Sequence, residues 1–250
     1  MLTTPTIDKL NNMRLFGMVK ALREQMEQVD INELSFDERF ALLVDHEFIE
    51  KENRRLKTRL RKAKLKQQAA MENIDYKQPR GLDKTLLLQL ANCDWIKKHN
   101  NIFAIGPTGT GKTYLACALA HKACLQGFSA YYARIPKLLP QLAMAKGDGS
   151  YTKLMNDLAK IDVLILDDWG LVTLTAEHRR DLLEILDDRH ACKSTIVTSQ
   201  LPVKLWHETI NDNTLADAIL DRLVHNAYRI ELKGASMRKI KSTLTDKEEK

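Results

Sequence analysis

The sequence predicts an α/β fold in which helices flank a parallel sheet, preceded by a small all-helical N-terminal domain. Three observations predict it. From about residue 85 onward, apolar segments of strand length alternate with segments of helix length, and strands connected in this way usually lie parallel in one sheet. A glycine-rich stretch separates the first of these strands from a helix. The preceding residues show helical periodicity instead.

Residues 1–66 are expected to form the helical domain. Val19 and Leu22 belong to a stripe of apolar residues spaced by three and four positions, which is the spacing of one helix face. Ser35 and Glu38 fit a capping box, in which each side chain binds a backbone N–H of the other residue. A second helix is therefore expected to begin at Asn32 or at Ser35.

Residues 67–84 are polar and contain Pro79 and Gly81, which interrupt helices, so this segment is expected to be a linker. The second domain is then expected over residues 85–250. Its predicted strands are 101–106, 129–135, 162–168, 194–200 and 227–232. In parallel sheets of this kind, ligands bind at the carboxyl ends of the strands.

Eight residues after the first predicted strand match the phosphate-binding pattern G-x-x-x-x-G-K-[ST]. They are Gly106, Pro107, Thr108, Gly109, Thr110, Gly111, Lys112 and Thr113. In such a loop the backbone N–H groups and the N-terminus of the following helix point at phosphate oxygens. Lys112 is expected to reach the β- and γ-phosphates, and the Thr113 hydroxyl to ligate Mg²⁺. The pattern predicts a nucleoside triphosphate site.

The strand at 162–168 ends in two carboxylates, Asp167 and Asp168. Asp167 is expected to hold Mg²⁺, which retains several waters and takes few carboxylates. Asp168 is expected to orient or deprotonate the attacking water. If the strand at 194–200 lies beside the phosphate-loop strand, either Gln200 or Ser199 can reach the γ-phosphate, and Gln200 is favoured.

The composition favours a polyanionic partner and no membrane. The net charge is +6, and the stretch Lys51–Lys66 holds nine basic residues against one acid, Glu52. Such a stretch suits backbone contact with nucleic acid, or else a solvated helix or a protein partner. No apolar run approaches the roughly 18 residues of a membrane span, and no signal peptide is evident. A cytoplasmic location is therefore expected.

The ordered motifs resemble one family of proteins. The phosphate loop is followed by Asp167-Asp168-Trp169-Gly170, by Thr198-Ser199-Gln200-Leu201-Pro202, and by Asp221-Arg222-Leu223 with Gly234-x-Ser236-x-Arg238. This series resembles the AAA+ ATPases related to the DnaC helicase loader, and within them the IstB-like ATP-binding proteins of insertion sequences. The resemblance extends over nearly the whole chain and implies an AAA+ core.

The resemblance implies ATP and Mg²⁺ as cofactors and a homo-oligomer that assembles on duplex DNA and activates a partner transposase. It implies an arginine finger at Arg222 that acts on a neighbouring subunit, a second sensor at Arg238 and a first sensor at Gln200. The alternative is a replicative helicase loader with the same core. A small-molecule kinase is an alternative of another class, against which the paired acids and Arg222 argue. A nucleotide-gated scaffold without hydrolysis is a third, against which Lys112 and Asp168 argue.

Overall fold

The computed structural model describes residues 3–237. The chain divides into two compact units, Met1–Thr58 and a second one that begins at Arg59. The predicted domain boundaries at residues 66 and 84 stay predictions, although the second unit begins before both of them.

The first unit is helical, as the periodicity predicted. Its elements are α1 (Thr3–Asn12), α2 (Phe16–Glu27), a 3-10 helix (Val29–Glu33) and α3 (Phe36–Ala63), which continues beyond the end of the unit. The buried Glu47 side chain of α3 accepts the N–H groups of Gly17 at 2.7 Å and Met18 at 3.2 Å. These two donors lie at the start of α2, where helix N–H groups lack partners in the helix and favour negative charge. One carboxylate therefore ties α2 to α3.

The predicted capping box is present at the start of α3. Ser35 N–H donates to Glu38 Oε2 at 2.8 Å, and Glu38 N–H donates to Ser35 Oγ at 3.3 Å. The apolar positions nearby are less buried than their periodicity suggests. Phe36 is 71% and Phe40 is 50% exposed, and their rings stack with centroids 6.0 Å apart.

The second unit alternates strands and helices from β1 onward. Its elements are a 3-10 helix (Met71–Asn73), α4 (Lys84–Ala91), α5 (Asp94–Lys97), β1 (Asn101–Ile105), α6 (Lys112–Leu125), β2 (Ala130–Arg134), α7 (Ile135–Asp148), α8 (Tyr151–Lys160), β3 (Val163–Trp169), α9 (Ala176–Arg189), β4 (Ser194–Ser199), a 3-10 helix (Val203–Leu205), α10 (Trp206–Ile210), α11 (Asn213–Val224) and β5 (Ala227–Glu231). Each of the five predicted strands is confirmed to within one residue at either end.

The five strands form one sheet in the order β2-β3-β4-β1-β5, and all neighbouring pairs are parallel. The predicted α/β fold with flanking helices is therefore confirmed. Strand β4 lies beside β1 with Ser199 opposite Ile105. Strand β3 lies between β4 and β2, with Asp167 opposite Arg134 of β2. The polar residues that end these strands consequently meet at one edge of the sheet.

The core beneath this edge is apolar and closely packed. Trp206 is fully buried, with its ring 5.0 Å from that of Phe103 and 5.3 Å from that of Trp169. Its indole N–H donates to the carbonyl of Leu201 at 3.0 Å, so burial leaves no polar atom of Trp206 unpaired. These contacts place a rigid base under the carboxyl ends of β1, β3 and β4.

The segment predicted as a linker belongs to the second unit and contributes buried residues to it. Ala69, Met71 and Ile74 are buried, and so is the charged residue Arg80. Polar composition with proline and glycine predicts the absence of helix, but it carries no information on how closely such a segment packs.

Candidate nucleotide-binding site

The glycine-rich loop turns sharply from β1 into α6. Gly111 immediately precedes α6 and has φ +100°, a conformation that favours glycine because it has no Cβ. The first turn of α6 therefore opens directly on the loop. Backbone N–H groups and the positive end of the helix dipole make the N-terminus of a helix a site for anions.

A cavity of about 580 Å³ lies against the loop. Its lining includes Lys112 and Thr113 from the loop, Asp168 from β3 and Gln200 after β4. Residues of the phosphate motif, the second of the paired acids and the sensor candidate Gln200 are thus brought together at the carboxyl edge of the sheet. This volume falls in the range of cofactor sites, about 300–1,000 Å³.

The Lys112 side chain lies inside the loop. Its Nζ donates to the carbonyl oxygens of Gly106 at 2.7 Å and Pro107 at 2.8 Å. An ammonium group at this position adds positive charge to a loop whose residues Gly109 and Gly111 line the cavity. The loop therefore fits the phosphates of a nucleotide in both shape and charge.

Thr113 and Asp167 form the oxygen pair expected for Mg²⁺. Thr113 Oγ1 lies 2.9 Å from Asp167 Oδ1, and the Asp167 side chain is fully buried. Hydroxyl and carboxylate oxygens are ligands that Mg²⁺ accepts, and it takes only one or two carboxylates. Within the described residues no group of three or more His, Cys, Asp or Glu side chains could hold a metal. A Mg²⁺ site of this kind does not require such a group, because water and phosphate oxygens supply the other ligands. The residues present fit this ion.

Two further hydroxyls and one ammonium hold the Asp167 carboxylate. The Tyr132 hydroxyl and the Thr198 hydroxyl both donate to it, and Lys66 Nζ lies 3.8 Å from Asp167 Oδ2. Burial, followed by the hydrogen bond to Asp167, raises the pKa of Tyr132 far above its ordinary value, so Tyr132 remains a donor. A buried carboxylate needs such partners to remain charged.

Asp168 points toward the cavity beside Asp167. Its backbone has φ +64°, which is uncommon for a residue other than glycine, and its N–H donates to Thr198 Oγ1 at 3.3 Å. Its Oδ2 accepts from Arg134 Nε at 2.7 Å, and this bond is the main influence that raises the pKa of Arg134. Asp168 is therefore held by an arginine that the sequence did not single out.

The two sensor candidates have different surroundings. Gln200 Oε1 accepts from the Thr108 hydroxyl of the phosphate loop at 2.7 Å, and Gln200 lines the cavity. The Ser199 hydroxyl is buried and donates to the Trp169 carbonyl at 2.9 Å. This geometry favours Gln200, in line with the preference drawn from the sequence.

Arg222 lies away from the cavity. The carbonyls of Arg222 and Leu223 accept from Asn101 Nδ2, and Asn101 begins β1 at the edge opposite the phosphate loop. Arg222 Nε donates to Asp187 Oδ1 at 2.6 Å. The structure therefore does not bring Arg222 to the nucleotide site of its own chain. Arg238, the candidate second sensor, lies outside the described residues.

Sequence reasoning missed the residues that support the site from neighbouring segments. They are Lys66, Arg80, Tyr132, Arg134 and Thr198. Thr198 was recognisable as a polar residue in a buried strand, next to the sensor candidates. The roles of Tyr132 and Arg134 depend on β2 lying beside β3, and the pattern of single elements does not give strand order.

Comparison with known proteins identifies the family. The family model described as IstB-like ATP binding protein matches residues 8–245. The chain belongs to this family. A Sinorhizobium fredii protein (strain NBRC 101917 / NGR234), whose name describes it as an insertion sequence ATP-binding protein, is 52% identical over 96% of this chain and 98% of its own. A similarly described protein of Mycobacterium tuberculosis (strain ATCC 25618 / H37Rv) is 31% identical over 92% of both chains.

Solved structures confirm the fold of the IstB-like chain. A crystal structure of DnaI matches with a TM-score of 0.59 and 23% identity, covering 66% of this chain and 92% of that one. A crystal structure of the DnaC helicase loader matches with a TM-score of 0.54 and 20% identity, covering 66% of this chain and 97% of that one. The AAA+ core predicted from the sequence is therefore confirmed. The protein is an ATPase of the IstB-like family, and ATP is its nucleotide. Within residues 3–237, no helix combines the length and apolar character of a membrane-spanning segment.

Proposed function

We propose that the protein is a Mg²⁺-dependent ATPase that assembles as a homo-oligomer on duplex DNA and assists a transposase in target selection. The observation that carries this proposal is the extent of the family match, which includes the helical N-terminal unit as well as the core. The likeness to helicase-loader structures covers 66% of the chain and is one of fold alone. The names of close relatives refer to insertion sequences.

The phosphate loop supplies binding. Its N–H groups and the N-terminus of α6 receive the phosphates, and Lys112 exchanges its carbonyl acceptors, Gly106 and Pro107, for phosphate oxygens. Thr113 and Asp167 would hold Mg²⁺, which when bound would neutralise charge on the phosphates. Tyr132 and Thr198 orient Asp167 through their hydroxyls.

Asp168 orients the attacking water and accepts its proton, while Gln200 contacts the γ-phosphate end of the nucleotide. Both side chains line the cavity. The hydrogen bond from Thr108 to Gln200 connects this sensor to the loop itself. A change at the phosphate can therefore be transmitted to β4 through one side chain.

Arg222 acts in trans. Its position at the edge of the sheet opposite the phosphate loop excludes action within its own site, and an arginine delivered by a neighbouring chain would stabilise the charge that forms during phosphoryl transfer. Hydrolysis then depends on assembly. The proposed oligomer follows from this dependence.

The basic stretch Lys51–Lys66 is only partly available for DNA. Several of its cations are engaged: Lys51 and Arg54 with Glu47, Arg55 with Glu52, Arg59 with the Cys124 carbonyl, Lys64 with the Tyr131 ring and Lys66 with Asp167. Arg61 and Lys62, at the C-terminal end of α3, are exposed and are the better candidates to neutralise phosphates.

The decisive experiment images the full-length protein with duplex DNA by electron microscopy, with ATP, with ADP and without nucleotide. Ordered assemblies that require both DNA and ATP are expected, and Lys112→Ala should form none. A labelled partner transposase should join these assemblies. Recruitment of a replicative helicase instead of the transposase would replace the proposal with the loader function, and ATP-independent assembly would refute the nucleotide-dependent step.

A further inference from the structure

Arg80 lies in the segment between the 3-10 helix Met71–Asn73 and α4, and it is only 5% exposed. Its guanidinium group reaches the phosphate loop. Nη1 donates to the carbonyl of Thr110 at 3.0 Å, and Nη2 donates to the carbonyl of Asp75 at 2.8 Å. The side chain thus connects its own segment to the loop directly before α6.

The guanidinium group of Arg80 forms no ion pair with any residue of the described part of the second unit. Both acceptors are neutral carbonyl oxygens, no carboxylate of the described residues lies within ion-pair distance, and Nε has no hydrogen-bond partner there. Burying a cation without an ion-pair partner is costly. Burial lowers the pKa of Arg80 from its ordinary value, and the nearby charge of Asp75 acts in the opposite direction. Arg80 lines the nucleotide cavity, so a bound polyphosphate would bring the missing negative charge.

Arg80 is also closely fitted to the loop. A Cβ placed on Gly111 would lie 2.6 Å from Arg80 Nη1, so the guanidinium occupies the space that glycine leaves at the last residue before α6. The Arg80 carbonyl accepts the N–H of Lys233 at 2.9 Å, which ties the same residue to the chain following β5. A shift of the loop would therefore disturb contacts on both sides of Arg80.

We propose that Arg80 is a positioning residue for ATP binding, which holds the phosphate loop through Thr110 and supplies buried positive charge that the nucleotide phosphates compensate. The inference rests on the proposed function in taking the ATP-bound form as the working state. Segment 67–84 then becomes part of the nucleotide site. Binding of ATP should hold segment 67–84 more firmly against the phosphate loop. It should therefore protect the exposed Lys77 from cleavage by trypsin.

The test compares full-length Arg80→Met and Arg80→Lys with wild type. Calorimetry with a non-hydrolysable ATP analogue and Mg²⁺ gives the Kd, and circular dichroism gives the Tm. Arg80→Met should raise the Kd about tenfold or more, as expected for loss of about 1.4 kcal/mol from charge-assisted contacts. Arg80→Lys keeps the positive charge but lacks the planar guanidinium group that donates to two carbonyls. It should therefore recover only part of the affinity.

The matched control is Arg179→Met. Arg179 is a largely buried arginine of the same unit that donates to two carbonyls, those of Leu174 at 3.0 Å and Ile210 at 3.1 Å, and it does not line the cavity. Its loss should lower the Tm and leave the Kd within about twofold, well below the tenfold step of 1.4 kcal/mol. If the role of Arg80 is purely structural, Arg80→Met should likewise lower the Tm and leave the Kd almost unchanged.

Folded Arg80→Met with wild-type affinity would overturn the inference and leave the proposed function untouched, whereas wild type that fails to bind ATP would count against the proposed function itself. If Arg80→Met does not fold, proteolysis of wild type decides. Tryptic cleavage after Lys77 at the same rate with and without ATP would overturn the inference, and clear protection would support it.

Discussion

Arg134 Nε donates to Asp168 Oδ2 across 2.7 Å, and this ion pair joins the last residue of β2 to the carboxylate proposed to orient water. The two side chains are only partly exposed, at 33% and 22%, so solvent screens the pair less than one on an open surface. One oxygen of Asp168 is consequently committed to an arginine in this structure.

Asp168→Asn should leave ATP binding intact and lower turnover by about 100-fold or more, which is the scale of general-base catalysis.

Arg134→Gln should act in the opposite direction and raise basal turnover severalfold, because it releases Asp168 Oδ2 for water. Steady-state phosphate release, with nucleotide affinity measured separately, checks both. If Arg134→Gln instead loses activity to the level of Asp168→Asn, the arginine holds the carboxylate in its working position.

Arg222→Ala should abolish hydrolysis without affecting nucleotide affinity, because Arg222 is remote from the cavity of its own chain. Mixing it with Asp168→Asn should restore activity, since subunits with an intact Asp168 then meet subunits with an intact Arg222. Phosphate release across a range of mixing ratios measures this. Mixtures that never exceed the separate variants would exclude action in trans.

Arg61→Ala combined with Lys62→Ala should weaken binding to duplex DNA. Each lost phosphate contact should reduce the slope of log affinity against log salt by about 0.9. Fluorescence anisotropy of a labelled duplex, measured with ATP at several salt concentrations, gives both the affinity for DNA and its dependence on salt. The control pair, Lys97→Ala with Lys98→Ala, removes the same charge from exposed positions near α5, and an equal effect there would indicate a general charge effect.

Gly17→Ala should destabilise the first unit by about 2 kcal/mol, the scale of overpacking in a tight contact. A Cβ at Gly17 would lie 2.6 Å from the His46 carbonyl oxygen and 2.7 Å from Glu47 Cα, and both are backbone atoms of α3 that cannot move aside singly. Thermal unfolding followed by circular dichroism measures the change.

The control for Gly17 is Gly147→Ala in α7, where a Cβ meets nothing within 4 Å. It should be neutral or stabilise by about 0.5 kcal/mol, because alanine is the better helix former. Equal effects at the two glycines would contradict the close approach of α2 and α3.

Much of the fold was predictable because its signals are local. Val163 to Leu166 are uniformly apolar and form a fully buried strand, and the loop pattern at Gly106 sets the turn into α6. Periodicity alone does not give burial, since Phe36 and Phe40 lie on one helix face and are exposed. Apolar spacing shows which residues share a face, but not whether that face has a neighbour.

The supporting residues of the site could not be predicted for a different reason. Arg134 approaches Asp168 only because β2 lies beside β3, and strand order is a property of the whole sheet. Arg80 lies in a polar segment without periodicity, and its two Nη atoms donate to backbone carbonyl oxygens. Since every residue has a carbonyl oxygen, no pattern of side chains in the sequence indicates which carbonyls accept from Arg80.

The hydroxyl groups around Asp167 have a practical consequence for handling the protein. Three of them, together with the ammonium of Lys66, already compensate the buried carboxylate. If the site holds Mg²⁺ as proposed, chelators should remove the ion without unfolding the domain, unlike the case of a zinc finger, where the metal supplies the folding energy. Purification in EDTA and later recharging with magnesium should return fully competent material.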